Sequence, residues 1–218
     1  MKNWLDKMER RFGRYAIRNL TMYLLAGYAI GYLLSFTMPQ LLTYFTLEPA
    51  LILKGQVWRL LSWVIIPPND NIIFVIFMML LYYSLGNTLE SYWGAFRYNV
   101  YIFSGILFTV IGAFIVNGLI GGITGFGSLY STYYINMSIF LACASIMPDY
   151  QLLLYGIIPI KMKWLAILDV VLLAVDAVQG GLIIRIVIIA SLLNFIIFFF
   201  CNRNLRGHSP KQAVRRKK

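Results

Sequence analysis

Six almost uninterrupted apolar stretches alternate with short polar or glycine- and proline-marked breaks along this chain. They run roughly over Leu20 to Met38, Asn71 to Leu85, Tyr98 to Asn117, Leu129 to Met147, Trp164 to Val178 and Leu182 to Cys201. A helix needs about 20 residues to cross a bilayer, so each stretch is near that length and some fall a little short. The breaks carry helix-stopping residues: Pro39, Pro67-Pro68-Asn69-Asp70, Trp93-Gly94, Pro148-Asp149 and Gly180-Gly181. The pattern predicts an all-α fold, a polytopic membrane protein built as a bundle of six transmembrane helices.

The ends and loops read differently. Residues 1–19 form a basic amphipathic segment, in which Trp4, Leu5, Met8, Phe12 and Tyr15 recur at spacings of three and four. One greasy face with a basic rim suits a helix lying on an anionic bilayer surface. Residues 20–201 form the membrane domain, its first span read as an uncleaved signal anchor. Residues 202–218 form a basic tail. The loop over 39–70 is apolar yet too short-patterned to cross, so it is expected in the interface, anchored by Trp58 and Trp63. Residues 150–163 are expected as a surface-lying connector ending in Lys161 and Lys163, and Gly118 to Ser128 as an uncharged glycine-rich loop.

Composition agrees with this reading. Of the 218 residues 60% are hydrophobic and 12% charged, and the mean hydropathy is +0.74. No soluble domain of this size has such a balance. A formal charge of +11 raises nucleic acid as a partner, but the basic residues flank apolar spans, where membrane topology accounts for them. Placing both termini in the cytoplasm puts sixteen of the 19 Lys and Arg residues inside, leaving Lys54, Arg59 and Arg185. The lipid bilayer is therefore the expected partner, and nucleic acid is not. Cys143 and Cys201 lie in apolar context and read as free thiols, and the single histidine, His208, is in the tail. No metal or cofactor is expected.

Between Gly55 and Gly105 polar and glycine residues take fixed places. The stretch opens Gly55-Gln56-Val57-Trp58-Arg59 and closes Leu85-Gly86-x-x-Leu89-Glu90-x-x-x-Gly94-x-x-Arg97. This motif resembles the rhomboid superfamily, which includes the intramembrane proteases and the protease-dead Derlins. The resemblance implies six spans over roughly residues 20–200, a first loop resting on the membrane, and scaffold roles for Trp58, Arg59, Gly86, Glu90, Gly94 and Arg97. In rhomboid proteases a Gly-x-Ser-Gly opens the fourth span and supplies the nucleophile, and a histidine on the sixth span is its base. A serine hydroxyl needs that base to attack. Counting back from Met147-Pro148, the motif falls on Ser131-Thr132-Tyr133-Tyr134, and Ala190-Ser191-Leu192-Leu193-Asn194 stands where the histidine is expected. The chain thus looks like an inactive rhomboid, a pseudoprotease without catalytic residues. The resemblance implies a role in binding transmembrane helices of client membrane proteins, or in perturbing the bilayer around them. Tyr133, Tyr134, Asn136, Ser191 and Asn194 are the expected cavity, with Tyr133, Ser191 and Asn194 opening outward. A bacterial plasma membrane is the expected location. The alternatives are an active rhomboid protease with a divergent site and a small transporter using Asp169; oligomeric state is left open.

Three further expectations concern charge. Arg59 is expected to buttress the first loop through backbone carbonyls, because an unpaired charge there is costly. Glu90 and Arg97 are expected to form a local charge and capping network about the Trp93-Gly94 turn. Asp169 and Asp176, seven apart, share a face of the fifth span. Asp176 is expected to pair with Arg185, leaving Asp169 deeper and free for a client residue or a proton.

Overall fold

A computed structural model describes residues 4–66, 72–154 and 158–201. The Pro67–Asp70 break and the tail beyond Cys201, with His208, lie outside the described residues. The fold is all-α. Its elements are α1 (Trp4–Phe12), α2 (Leu20–Thr37), α3 (Pro39–Phe45), α4 (Pro49–Ile52), α5 (Arg59–Ser62), α6 (Ile72–Trp93), α7 (Ala95–Leu119), α8 (Tyr133–Ile146), α9 (Met162–Gln179) and α10 (Leu182–Cys201). Single 3₁₀ turns lie at Gly13–Tyr15, Trp63–Ile65 and Gly127–Leu129. Where the sequence reads as a surface connector, a small antiparallel hairpin forms, β1 (Gln151–Leu154) on β2 (Ile158–Lys161), with Gln151 opposite Lys161.

Three helices among the described residues are long and apolar enough to cross a bilayer: Leu20–Thr37, Ala95–Leu119 and, within α10, Leu182–Phe199. The other candidates depart from the expected spans in instructive ways. The second apolar stretch does not stop at Leu85, because α6 continues through Gly86 and Glu90 to Trp93. The fourth begins late. α8 has 14 residues, because the chain from Gly127 to Leu129 is a separate 3₁₀ turn and Tyr130 to Thr132 remain outside the helix. At 1.5 Å per residue α8 is about 21 Å long, well under the roughly 30 Å of a hydrocarbon core.

The core sits where α7, α8 and α10 meet. Ten consecutive residues of α8, Ile135 to Ala144, are buried, so this helix is enclosed on all sides. α7 and α10 pack along their lengths and both abut α8, while α6 and α9 flank α8 without packing extensively on one another. Tyr98, Tyr101, Ile102, Ala113 and Val116 of α7 face inward with Val187 and Phe198 of α10. Two glycines set the geometry at one end. Gly94 alone joins α6 to α7, and its φ of 84° is one that side-chain-bearing residues avoid. At Gly86 a Cβ would overlap the Thr21 hydroxyl and meet the Tyr98 hydroxyl at 2.8 Å, so only glycine lets α2, α6 and α7 meet there.

The N-terminal helix is not free on a membrane surface. Leu5 is buried in the protein core, and α1 packs on the start of α7. Its acids explain why. Arg97 Nη2 donates to Asp6 at 2.6 Å and Arg97 Nε to Glu9 at 2.9 Å, so one guanidinium binds two carboxylates a helical turn apart.

Candidate functional site: polar groups between the helices

The charged scaffold residues separate into satisfied and unsatisfied groups. Arg59 is 3% exposed. Its Nη1 donates to the carbonyls of Thr43 and Thr46 at 2.8 and 2.9 Å and to the Thr46 hydroxyl at 3.1 Å. Its Nε donates to Gln56 at 2.7 Å. Trp58 Nε1 donates to the Tyr44 carbonyl at 3.2 Å, beside it. Together these bonds tie α3 to α5 and hold the loop over 39–66.

Glu90 and Arg97 do not serve the turn between them. Arg97 reaches α1, as described. Glu90 Oε1 accepts the Asn19 N–H at 2.9 Å, just before α2 begins, and its Oε2 is buried with no partner among the described residues. The network expected to be local therefore joins elements 71 to 91 residues apart. Helix starts leave N–H groups without intrahelical partners, so a carboxylate in reach of one is favoured over a local contact.

Glu48 is a functional residue that sequence reasoning missed. It is 7% exposed, and its Oε1 accepts the N–H groups of Gly125 and Gly127 at 2.9 and 2.8 Å. That latches the glycine-rich loop onto the first loop, directly before α8. Burial and the Glu48 carboxylate push the neighbouring Tyr130 hydroxyl up to about 12. The signal was available: one acid in an apolar loop, and one glycine-rich loop with N–H groups to place.

Arg185 and Asp176 do not form the expected pair. Arg185 Nε donates to the Ala177 carbonyl at 2.7 Å and Nη2 to Val178 at 3.4 Å. The carbonyls ending α9 have no intrahelical partner, and they outcompete the exposed Asp176 carboxylate for the guanidinium.

Of the expected cavity residues, two belong to structural links instead. Asn194 is 2% exposed and faces α7. Its Oδ1 accepts from Ser104 Oγ at 2.6 Å, and its Nδ2 donates to the Tyr101 carbonyl at 2.9 Å. It therefore does not share an outward cavity with Tyr133. Lying between α7 and α8, α10 turns this residue toward α7, where a polar partner stands. Asn136 is buried beside Tyr28 of α2, its Nδ2 3.3 Å from the Tyr28 hydroxyl, while Thr132 Oγ1 donates to the Ile66 carbonyl at 3.4 Å. Ser191 lies in α10, and its side chain is outside what is described.

Tyr133 and Tyr134 remain half-buried, their rings edge to face with centroids 5.3 Å apart. Tyr133 N–H donates to Ser131 Oγ at 3.2 Å; this serine of the aligned motif lies just outside α8, whose N-cap is Thr132. The neighbour that matters to Tyr133 is on α9. Asp169 lies within electrostatic reach of Tyr133 and of Tyr82 on α6, and Tyr82 is in turn near Tyr28. Asp169 Oδ2 is buried and has no hydrogen-bond partner among the described residues. The polar groups that act on one another here come from α2, α6, α8 and α9; Asp176 is also within electrostatic reach of Tyr133, but Asp169 is the acid with a buried oxygen that lacks a partner. Such a group accepts a hydrogen bond or a cation; alone it has no base and no nucleophile to activate. Among the described residues no three His, Cys, Asp or Glu side chains are grouped to hold a metal ion.

Comparison with known proteins gives one match. A family model described as eukaryotic integral membrane protein (DUF1751) covers residues 18–213. No curated protein and no solved structure matches the chain.

Proposed function

The chain belongs to this eukaryotic integral membrane protein family, and on that premise we propose that it is a rhomboid-like pseudoprotease that binds transmembrane segments of client membrane proteins. The observation that carries the reading is Asp169. A buried carboxylate without a partner is expensive in a membrane, and intramembrane acids of this kind mark binding or transport paths. A polar or basic residue on a client helix entering beside α9 would supply the missing partner. Leu172 and Asp176, three and seven residues after Asp169 and so on its side of α9, are exposed and leave it open to such a visitor.

Two further features support the proposal. The only histidine in the sequence is His208, beyond the last span, so a serine in the bundle lacks the base that rhomboid chemistry uses. α9, exposed along most of its length, has 18 residues and is about 27 Å long, a little short of the hydrocarbon core, and local thinning there eases lateral entry of polar segments. We place six spans in the membrane with both termini cytoplasmic, from the distribution of basic residues. The description of the family as eukaryotic favours a membrane of a eukaryotic cell over the bacterial plasma membrane expected from the sequence.

A photo-crosslinking amino acid at Tyr133 or at Leu172, in native membranes, tests the reading. Transmembrane proteins should be captured, and Asp169→Leu should reduce the capture of those with a polar residue at that depth. Cleavage of model substrates with fluorophosphonate labelling lost on Ser128→Ala or Ser131→Ala would establish the protease instead. Asp169 also fits a proton-coupled transporter; ΔpH-driven solute uptake into proteoliposomes, abolished by Asp169→Asn, would select that reading. A reporter after Lys218 on the luminal or extracellular side would sink the topology.

A further inference from the structure

At the end of the bundle that carries α1, a groove of about 380 Å³ opens between the α1–α2 connection and α7. Phe12, Tyr15, Ile17, Phe96 and Phe103 line it, and Asn99 forms part of its floor. From it an exposed apolar row continues along α7, Phe103, Leu107, Ile111 and Ile115, each four residues after the last. At 1.5 Å per residue the row is about 18 Å long, the scale of a lipid acyl chain.

The rim carries charge of one sign. Lys7, Arg10, Arg11, Arg14 and Arg18 are all exposed and none has a carboxylate partner among the described residues. The acids of α1 are not free to neutralise them, because Asp6 and Glu9 are both held by Arg97. Two guanidinium groups stand at the lining itself. Arg14 Nη2 donates to the Tyr15 hydroxyl at 2.7 Å, and Arg11 lies 5.5 Å from the centre of the Phe12 ring. The floor carries an independent sign of a ligand: Asn99 is 6% exposed, and its Oδ1 is buried with no hydrogen-bond partner among the described residues. A buried amide oxygen without a donor is rare, and the residue that carries it lines the groove.

We propose that this groove is a binding site for a single anionic phospholipid, its phosphate held by Arg14 and Arg11, a head-group N–H or O–H donated to Asn99, and one acyl chain laid along Phe103, Leu107 and Ile111. A zwitterionic lipid whose head group has no donor, such as phosphatidylcholine, meets neither the net charge nor the amide. Arg18 and Arg10 strengthen attraction to an anionic leaflet, but the site is distinct from a basic helix resting on the surface, because α1 is fixed to the protein by Leu5 and Arg97.

The experiment is native mass spectrometry of the full chain released from detergent, with phosphatidylserine and phosphatidylcholine supplied in equal amounts. One phosphatidylserine should be retained, with a preference of about tenfold, the effect of roughly one charged contact. Arg14→Gln combined with Arg11→Gln should reduce retention to the phosphatidylcholine level, and Asn99→Leu should weaken it severalfold. Arg14 and Arg11 are exposed, so their replacement leaves folding intact, which a thermal melt verifies. Inorganic phosphate should not displace the lipid. Equal retention of the two lipids, unchanged retention in the double arginine variant, or displacement by phosphate alone would overturn the proposal.

Discussion

Arg59 and Asp169 are both ionisable groups inside a lipid-soluble protein, and the structure treats them oppositely. Arg59 is packed among carbonyls and hydroxyls, with partners for both nitrogens that face the protein. Asp169 has a buried oxygen with no partner. A buried charge that is fully bonded adds shape and rigidity; one that is left alone costs free energy without structural return. The first therefore reads as scaffold and the second as a group waiting for something that arrives from outside. Removing a scaffold charge should damage the fold, and removing a waiting charge should damage only binding.

The strongest way to break this contrast is Arg59→Leu. Charged hydrogen bonds contribute about 1.5–3 kcal/mol each, and several are lost together with carbonyls left bare, so a loss of roughly 4 kcal/mol or more is expected. The readout is detergent-resistant folded protein by size-exclusion chromatography; a fully stable variant that fails only in client capture would move Arg59 into the site. Glu48→Ala comes next, at about 2–4 kcal/mol for two N–H acceptors lost from one carboxylate. Hydrogen exchange at Gly125 and Gly127 should accelerate, while Glu48→Gln, which keeps an acceptor oxygen, should fall between. Arg97→Ala should cost no more than about 1 kcal/mol, because Asp6 and Glu9 are 37% and 38% exposed and their pairing is screened. It should loosen α1, seen as faster proteolysis near Phe12. The smallest stability change sharpens the contrast most: Asp169→Leu should leave thermal stability unchanged or raise it slightly while client crosslinking falls. A large destabilisation there would show that Asp169 is a structural residue like Arg59.

The elements of this protein were legible in the chain because the membrane reads sequence directly. Apolar length, proline and glycine breaks and the placing of basic residues describe helices and their ends without reference to neighbours, and α2, α7, α9 and α10 lie within two or three residues of the stretches that predicted them. The start of α8 was less legible, since nothing in Leu129–Thr132 is unfavourable for a helix. Its delayed start accompanies Glu48, 77 residues away, holding Gly125.

The partners of the charges were beyond the sequence. Glu90 and Arg97 are neighbours in the chain, as are Asp176 and Arg185, yet each finds a better ligand: the N–H of Asn19, two acids on α1, and the last carbonyls of α9. Asn194 and Tyr133 were expected together, but α10 turns the amide to α7. What the sequence alone determined is the class of the fold, a helical integral membrane protein, and the polar residues on which the proposed site is built. Which of those residues are satisfied and which stand open was decided by tertiary structure. Hydrogen bonds in a low-dielectric interior depend on distances of a few ångströms between segments far apart in the chain, and no local pattern encodes those distances.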